Sequence, residues 1–196
     1  MRTNDQRHTM PKDRTPATVI YNGPSRLEWQ GFAFPGYVLG CNLAYRDWPL
    51  SHCWAVDRMT VAQIRGELER KPLPCEFWTK ESSLELPAGW HHRPTPGIDS
   101  GSAAVAHALE LTSAEIVVIG CDGILGGSNE TAYHFAWHPQ GPTAKTHLRH
   151  REYTLTLQQR NPRIVLVSEQ AHSDFKTISK LEAIELFNKY TAKEEA

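Results

Sequence analysis

The run Glu115-Ile116-Val117-Val118-Ile119-Gly120-Cys121-Asp122 decides the fold class of this chain. Its four consecutive β-branched residues predict a strand buried on both faces, because a strand with one solvated face alternates apolar and polar residues. Five other short runs are rich in apolar or aromatic residues; they cover residues 17–21, 37–39, 52–56, 74–78 and 163–167. Helical patterns separate most of these runs. They indicate an α/β protein: a single Rossmann-like doubly wound domain, with a mainly parallel sheet and helices on both faces.

The segments between the strands carry helix and loop signals. We expect helices at residues 25–29, 60–68, 100–111, 143–160 and 179–190. Thr60 is expected to cap the second of these, where Val61 and Ile64 begin a helical apolar spacing. Residues 79–99 and 123–141 are expected to form irregular loops. The domain is expected to span residues 17–192, between a flexible polar arm (1–16) and a frayed C-terminus (193–196).

The composition argues against several classes of protein. With 21 Lys and Arg against 22 Asp and Glu, the formal net charge is −1, which disfavours non-specific nucleic-acid binding. No apolar run approaches the ~20 residues that cross a bilayer, and residues 1–15 lack the apolar core of a secretion signal. The four cysteines form no CxxC pair, so we expect small buried thiols in a reducing compartment. A cytoplasmic protein without a membrane partner is expected, and its oligomeric state stays open.

Polar turns follow four of the predicted strands. In doubly wound sheets ligands bind at the carboxyl ends of the strands, and parallel strands bring those ends to one edge. The turns are Asn22-Gly23-Pro24-Ser25, Cys41-Asn42, Asp57 and Gly120-Cys121-Asp122. The helix start Ser100-Gly101 reaches the same edge if the preceding loop returns there. This concentration of polar turns predicts a ligand site.

The residue types in these turns suit phosphate and ribose. Gly23 can adopt a positive φ, and free amides at a helix start can cradle a phosphate. Asp122, directly after a strand, suits ribose hydroxyls or a metal ion. Each turn also has a structural interpretation, as a βα turn, a helix N-cap at Ser100 or an Asx-turn at Asp122. The chain has neither GxGxxG nor GxxxxGKS/T, so it indicates no dinucleotide fingerprint and no P-loop.

The order of these turns resembles two related groups of enzymes. Asn22-Gly-Pro-Ser25, Gly40-Cys-Asn42, Asp57 and the segment 100–122 are similar to blocks of the bacterial sialyltransferases that use a CMP-linked sugar, and of the pterin diphosphokinase-like proteins of archaea and phages. The segment 100–122 is closest, with the family's Ser-Gly, small helix, apolar strand and Gly-x-Asp in the same order. The resemblance extends over about residues 17 to 167, but only these short blocks match. It also suggests a phage-encoded protein.

The resemblance implies roles for individual residues. The sialyltransferase positions that hold the nucleotide correspond to Asn22, Asn42, Ser100, Gly120 and Asp122, and their neighbours Gly23, Ser25, Asp57 and Gly101 extend the predicted nucleotide site. The family also holds the leaving phosphate with tyrosines that follow the aspartate. Ile124 stands near the first of these positions and only Tyr133 could replace the second, which argues against sialyl transfer itself.

Histidines supply the catalytic base in this interpretation. The family uses a downstream histidine, for which His147 and His150 are the candidates, since imidazole suits removal of a proton from a sugar hydroxyl. Both could equally be solvated helix residues. Histidine pairs such as His134 and His138 raise the hypothesis of a transition-metal site. Zinc needs three or four convergent ligands, so no metal site is assigned.

Two classes of function follow, and both use the same cleft, for which a nucleotide or nucleotide-sugar is the expected partner. The first is a nucleotide-dependent transferase that moves a glycosyl group from a nucleotide-sugar, or diphosphate from ATP, to an acceptor hydroxyl. The second is a non-catalytic phage module that binds a nucleotide or a host protein with the same cleft. No cofactor is assigned, although Mg²⁺ at Asp57 or Asp122 is expected if the substrate is a nucleoside triphosphate.

Overall fold

One parallel sheet forms the centre of the molecule. The computed structural model describes residues 14–80, 86, 89–94, 99–126 and 144–194, with side chains described outside 144–147 and 193–194. The strands are β1 (Ala17–Ile20), β2 (Tyr37–Cys41), β3 (His52–Trp54), β4 (Glu76–Thr79), β5 (Trp90–His92), β6 (Ile116–Ile119), β7 (Ile164–Val167) and β8 (Thr177–Ile178). Their order across the sheet is β5-β4-β3-β2-β1-β6-β7-β8, and every neighbouring pair is parallel. The predicted α/β class with a doubly wound sheet is confirmed.

Helices connect the strands and cover both faces of the sheet. They are α1 (Arg58–Leu68), α2 (Ser100–Leu111), α3 (Asp122–Gly126), α4 (Ala144–Arg160) and α5 (Lys180–Glu194). Two short 3₁₀ helices, Pro24–Trp29 and Ala44–Arg46, follow β1 and β2. No helix in the described part of the chain is long and apolar enough to span a bilayer.

The central strands are buried on both faces, as their unbroken apolar sequence requires. In β6, Ile116 and Val118 belong to the core that contains Ala104 of α2. Val117 and Ile119 point to the opposite core, which contains Phe187 of α5. The successive side chains of a strand alternate between faces, so each apolar run serves two separate cores.

Some element boundaries differ from those expected. The segment 79–99 was expected to be irregular, but it contains β5, whose Trp90 stacks on Phe77 with ring centroids 5.1 Å apart. Helix α1 begins at Arg58 rather than at Thr60, and Asp57 occupies the N-cap position without a side-chain capping bond. Helix α3 lies within 123–141, which was also expected to be irregular, and the rest of that segment lies outside the described residues. The last helix runs to Glu194, beyond the expected domain end at 192.

The chain reverses direction across the sheet at β1. From β1 it proceeds through β2 to β5 on one side, then returns to β6 on the other side and continues to β8. The connections after β1 and β6 therefore leave in opposite directions. In open α/β sheets such a switch point opens a crevice beyond the carboxyl ends of the two strands.

Candidate functional site

A crevice of about 390 Å³ lies at this switch point. Its walls come from the segments that follow β1, β6 and β7 and from the first residue of α5. Its lining includes Ser25, Gly120, Asp122, Ser168, His172 and Lys180. A larger hollow of about 510 Å³ lies among residues that precede β2, β3 and β4, at the amino ends of these strands. The switch-point crevice is the better candidate, because ligands of doubly wound sheets bind at the carboxyl ends.

Ser25 and Asp122 join the two sides of the switch point. The Ser25 hydroxyl donates to Asp122 Oδ2 at 2.8 Å, and the Ser25 backbone N–H donates to the same oxygen at 3.2 Å. Asp122 is the first residue of α3, directly after β6, and Ser25 lies in the 3₁₀ helix after β1. Two hydrogen bonds to one carboxylate oxygen fix its orientation, since bonds to an ionised acceptor are short and strong.

A glycine is required at position 23 because Asp122 and the Gly120 backbone lie too close for a side chain, and not because of its backbone angle. Its φ is −65°, so the turn does not use the positive φ that glycine allows. A Cβ at this position would lie 2.0 Å from Asp122 Oδ2 and 2.5 Å from the Gly120 carbonyl oxygen. The Gly23 N–H donates to that carbonyl at 2.8 Å. Gly120 does adopt a positive φ, of +71°, a region that favours glycine.

A buried arginine, Arg26, holds the turn after β1 in place. The Arg26 side chain is fully buried; it donates to Asn22 Oδ1 at 3.1 Å and pairs with Asp47 at 2.9 Å. Its guanidinium also lies 5.3 Å from the centre of the Trp48 ring. Burial lowers the pKa of Arg26, because a low-dielectric environment disfavours the charged form. Since Asn22 Oδ1 is engaged by Arg26, a direct contact of Asn22 with nucleotide stays a prediction.

The other predicted nucleotide residues lie farther along the same edge. Asn42 follows β2, has φ +53° and is 9% exposed, and its Oδ1 has no hydrogen-bond partner among the described residues. Ser100 is buried, and its hydroxyl accepts the Val56 N–H at 3.1 Å, which ties α2 to the end of β3. A Cβ on Gly101 would lie 2.5 Å from the Tyr21 ring. Asp57 is exposed.

The structure therefore divides the predicted nucleotide-site residues into those that meet at the switch point and those that lie away from the crevice. Gly23, Ser25, Gly120 and Asp122 are brought into direct contact at the switch point. In the described part of the chain, Asn22, Asn42, Asp57, Ser100 and Gly101 do not line the crevice. Ser100 and Gly101 have evident packing roles, and a role in ligand binding stays a prediction for all five.

The predicted catalytic histidines lie on α4. His150 is half-buried, and it is not among the described residues that line the crevice. Its neighbour Arg151 donates to the Ile124 carbonyl at 2.7 Å and pairs with Asp174, so this part of α4 packs against α3. The side chain of His147 lies outside the described set, as does Tyr133 altogether.

The sequence reasoning missed the far wall of the crevice. Ser168, Glu169 and His172 follow β7, and Lys180 begins α5. The Lys180 ammonium donates to the Glu28 carbonyl at 2.6 Å and lies 5.4 Å from the centre of the Trp29 ring. The sequence did contain a signal for this wall, because polar residues directly follow the apolar run 163–167. Polar residues in that position mark the ligand edge, as they do after the four other strands.

A separate group of histidines lies between β3, β4, β5 and α2. The Trp54 indole N–H donates to His107 Nδ1 at 3.1 Å, and the His52 ring is 4.8 Å from that of His107. Trp78 stacks on His91, with ring centroids 4.5 Å apart. Burial, together with nearby His52, Arg93 and His91, lowers the pKa of His107 to about 3. His107 is therefore neutral in the folded protein and accepts the indole hydrogen bond.

The pH dependence of stability tests the state of His107. The folded protein keeps this imidazole neutral, whereas the unfolded chain takes up a proton below about pH 6.5. Stability is therefore complete above about pH 6.5 and is lost as the pH falls toward 3. Between about pH 6.5 and 4.5, we expect urea denaturation to show a fall in unfolding free energy about 2 kcal/mol larger for the wild type than for His107→Gln.

The control for this titration is His92→Gln. His92 is exposed at the end of β5. This variant leaves the buried imidazole of His107 unchanged, so the fall in unfolding free energy that His107 causes is expected to remain. An equal pH dependence in His107→Gln and the wild type would contradict the assignment of a neutral buried imidazole.

Comparisons of the chain with protein-family models, curated proteins and solved structures return no match. The fold and the crevice define the protein as a Rossmann-like doubly wound α/β protein with a polar crevice at its switch point. In the described part of the chain, no group of three or more His, Cys, Asp or Glu residues is arranged to hold a metal ion. The expected Mg²⁺ at Asp57 or Asp122 stays a prediction.

Proposed function

We propose that the protein is a nucleotide-dependent transferase whose donor binds at the switch-point crevice. The donor is either a nucleotide-sugar or ATP, and the group transferred to an acceptor hydroxyl is accordingly a glycosyl group or diphosphate. The observation that carries the proposal is the Asp122 carboxylate, held by both the N–H and the hydroxyl of Ser25 across the switch point. The sequence resemblance described above supports the same assignment.

The residues around Asp122 suit the parts of a nucleotide. A carboxylate at the end of a strand accepts hydrogen bonds from ribose hydroxyls. The tight contact of Gly23 with Gly120 lets the backbone approach a ligand without side chains between. Asn42 lies on the same edge, and its buried Oδ1, which has no hydrogen-bond partner among the described residues, suits an amino group of the base.

The charges in the crevice favour a nucleotide that arrives with a divalent cation. Glu28, Asp122 and Glu169 line it beside a single described ammonium, that of Lys180. A free polyphosphate would meet more negative than positive charge there. Mg²⁺ bound to the phosphates would reverse this balance, since it commonly binds through carboxylates and substrate phosphates together. The ligand screen is therefore run with and without Mg²⁺.

The second candidate is a nucleotide-binding module without catalysis. The observation that favours it is Ile124, which stands near the position where the resembling enzymes hold the leaving phosphate with a tyrosine. Isoleucine has no hydroxyl that could hold a phosphate. Ile124 is 8% exposed and packs in the apolar core instead. Nucleotide binding is common to both candidates, and turnover separates them.

Removal of the Asp122 charge is expected to weaken nucleotide binding with little change in the fold. Thermal shift and calorimetry with CMP, CDP, UDP, GDP, ATP and their sugars would measure this, because a bound ligand raises apparent stability. Asp122→Asn keeps an oxygen for Ser25 but loses the charge, so we expect the Kd to rise about tenfold or more.

Asp174→Asn is the matched control. Asp174 is an exposed aspartate that pairs with Arg151 outside the crevice lining. This variant is expected to bind like the wild type. An Asp122→Asn protein that binds every nucleotide as the wild type does would refute the proposed site. Loss of the folded state in the same variant would make Asp122 a structural residue.

A further inference from the structure

The switch-point crevice contains one ammonium group in the described part of the chain, that of Lys180. Lys180 is the first residue of α5, and a capping box fixes the start of this helix. The Ser179 N–H donates to Glu182 Oε2 at 2.7 Å, and the Glu182 N–H donates to the Ser179 hydroxyl at 3.2 Å. From this wall the half-buried lysine side chain reaches the 3₁₀ helix after β1. Lys180 therefore joins the two sides of the crevice.

Two contacts on that 3₁₀ helix hold the ammonium in position. Its Nζ donates to the Glu28 carbonyl oxygen at 2.6 Å and lies 5.4 Å from the centre of the Trp29 ring. Trp29 is 3% exposed and packs edge-on against Phe187 of α5, so the ring is itself fixed. Both contacts attract a cation, and neither of them supplies a full negative charge.

The carboxylates in the same lining do not neutralise the ammonium. Glu169 Oε1 accepts the Lys180 backbone N–H at 2.9 Å, and Glu28 contacts the ammonium through its backbone carbonyl. In the described part of the chain, the Lys180 ammonium forms no ion pair and makes no other hydrogen bond. An ammonium has three N–H donors, so two remain for a ligand. Such a group binds an anionic oxygen through charge-assisted hydrogen bonds.

We propose that Lys180 binds a phosphate group of the donor, an inference that rests on the proposed transferase function. The phosphate is attached to the ribose, so a donor whose ribose is held at Asp122 brings its phosphate into the crevice that Lys180 lines. Lysine binds phosphate as a compact charge. The positive end of the α5 dipole adds to that charge, because Lys180 is the first residue of the helix.

This assignment gives the crevice a phosphate contact that the sequence resemblance does not provide. The resembling enzymes hold the leaving phosphate with tyrosines that follow the aspartate, and Ile124 stands near the first of those positions. Lys180 lies beyond residue 167, where the resemblance ends. The phosphate contact thus comes from α5, on the other side of the crevice.

The test measures whether Lys180 acts on the phosphate or on the whole site. Calorimetry compares the full-length wild type, Lys180→Met and Lys180→Arg with cytidine and CMP, with adenosine and ATP, and with pyrophosphate, each with and without Mg²⁺. Methionine keeps the apolar stem of lysine and removes the charge. For the nucleotide that the wild type binds, Lys180→Met is expected to raise the Kd about tenfold or more. The Kd of the matching nucleoside is expected to stay within about twofold, and Lys180→Arg, which keeps the charge, is expected to lose less affinity.

Lys176→Met is the matched control. Lys176 is exposed and outside the crevice lining, and its ammonium also donates to a backbone carbonyl, that of Pro162, at 2.7 Å. This variant is expected to bind every probe as the wild type does.

The outcomes separate this inference from the proposed function. Nucleotide binding by Lys180→Met at the wild-type affinity overturns the inference and leaves the proposed nucleotide site standing. Equal losses of nucleoside and nucleotide affinity make Lys180 a structural link between the two walls and also overturn it. Binding of pyrophosphate that depends on Lys180, without binding of any nucleoside or nucleotide, supports the phosphate contact and overturns the nucleotide-dependent function. A wild-type protein that binds none of these probes overturns both.

Discussion

Gly23→Ala is expected to destabilise the protein by about 3 kcal/mol and to abolish nucleotide binding. The added methyl group would lie 2.0 Å from Asp122 Oδ2 and 2.5 Å from the Gly120 carbonyl oxygen. The second contact is with backbone, which cannot rotate away as a flexible side chain does. Relief therefore requires the β1 and β6 turns to separate, and this breaks the 2.8 Å bond from the Gly23 N–H to Gly120.

Gly66→Ala is the matched control for this substitution. Gly66 lies within α1, and a Cβ there would have no neighbour within 4 Å. Alanine is favoured over glycine inside a helix, so this variant is expected to gain up to ~1 kcal/mol. Urea denaturation of both variants measures the difference. A Gly23→Ala protein as stable as Gly66→Ala would show that the two turns are not in tight contact.

The central strands were predictable because their signal is local. Residues 116–119 are β-branched without interruption, and such a run is typical of a strand with both faces buried. The edge strands carried a weaker signal. β8 has two residues, and in β5 His91 and His92 are exposed while only Trp90 is buried. A three-residue edge strand is specified by packing, here of Trp90 on Phe77, rather than by its own pattern.

Part of the candidate site was predictable for the same reason. Asp122 and Ser25 follow strong strands, so the rule that ligands bind at carboxyl ends identified them. Their mutual hydrogen bonds join residues 97 apart in sequence, and no local pattern encodes such a pair. The far wall depends on the position of β7 beside β6, which places Ser168 and His172 in the same crevice as Asp122. That neighbour relation is a property of the sheet order.

Arg26 is the clearest case of a role that only the fold determines. In sequence it is a charged residue in a short helix, for which a solvated position is the usual expectation. In the structure it is fully buried, and its partners Asn22 and Asp47 come from the β1 turn and from the connection after β2. One guanidinium, in the same 3₁₀ helix as Ser25, thus joins the turn after β1 to the connection between β2 and β3.

Arg26→Ala is therefore expected to cost about 2–5 kcal/mol of unfolding free energy, measured by urea denaturation. The substitution leaves the buried Asn22 Oδ1 without its donor and opens a cavity beside Trp48, whereas water can solvate the exposed Asp47 carboxylate. The control is Arg65→Ala, which breaks an exposed pair with Glu69 on α1 and is expected to cost about 0.5 kcal/mol or less.

A double variant separates the cost of an unpaired charge from the cost of lost packing. Arg26→Met with Asp47→Leu removes both charges and keeps apolar volume, so it is expected to recover most of the stability lost in Arg26→Ala. Nucleotide binding is expected to stay weakened in this variant, because the Asn22 amide still lacks its guanidinium donor and the β1 turn loses a fixed position. If Arg26→Ala proved no more destabilising than Arg65→Ala, the buried guanidinium would not be what anchors the turn beneath the crevice.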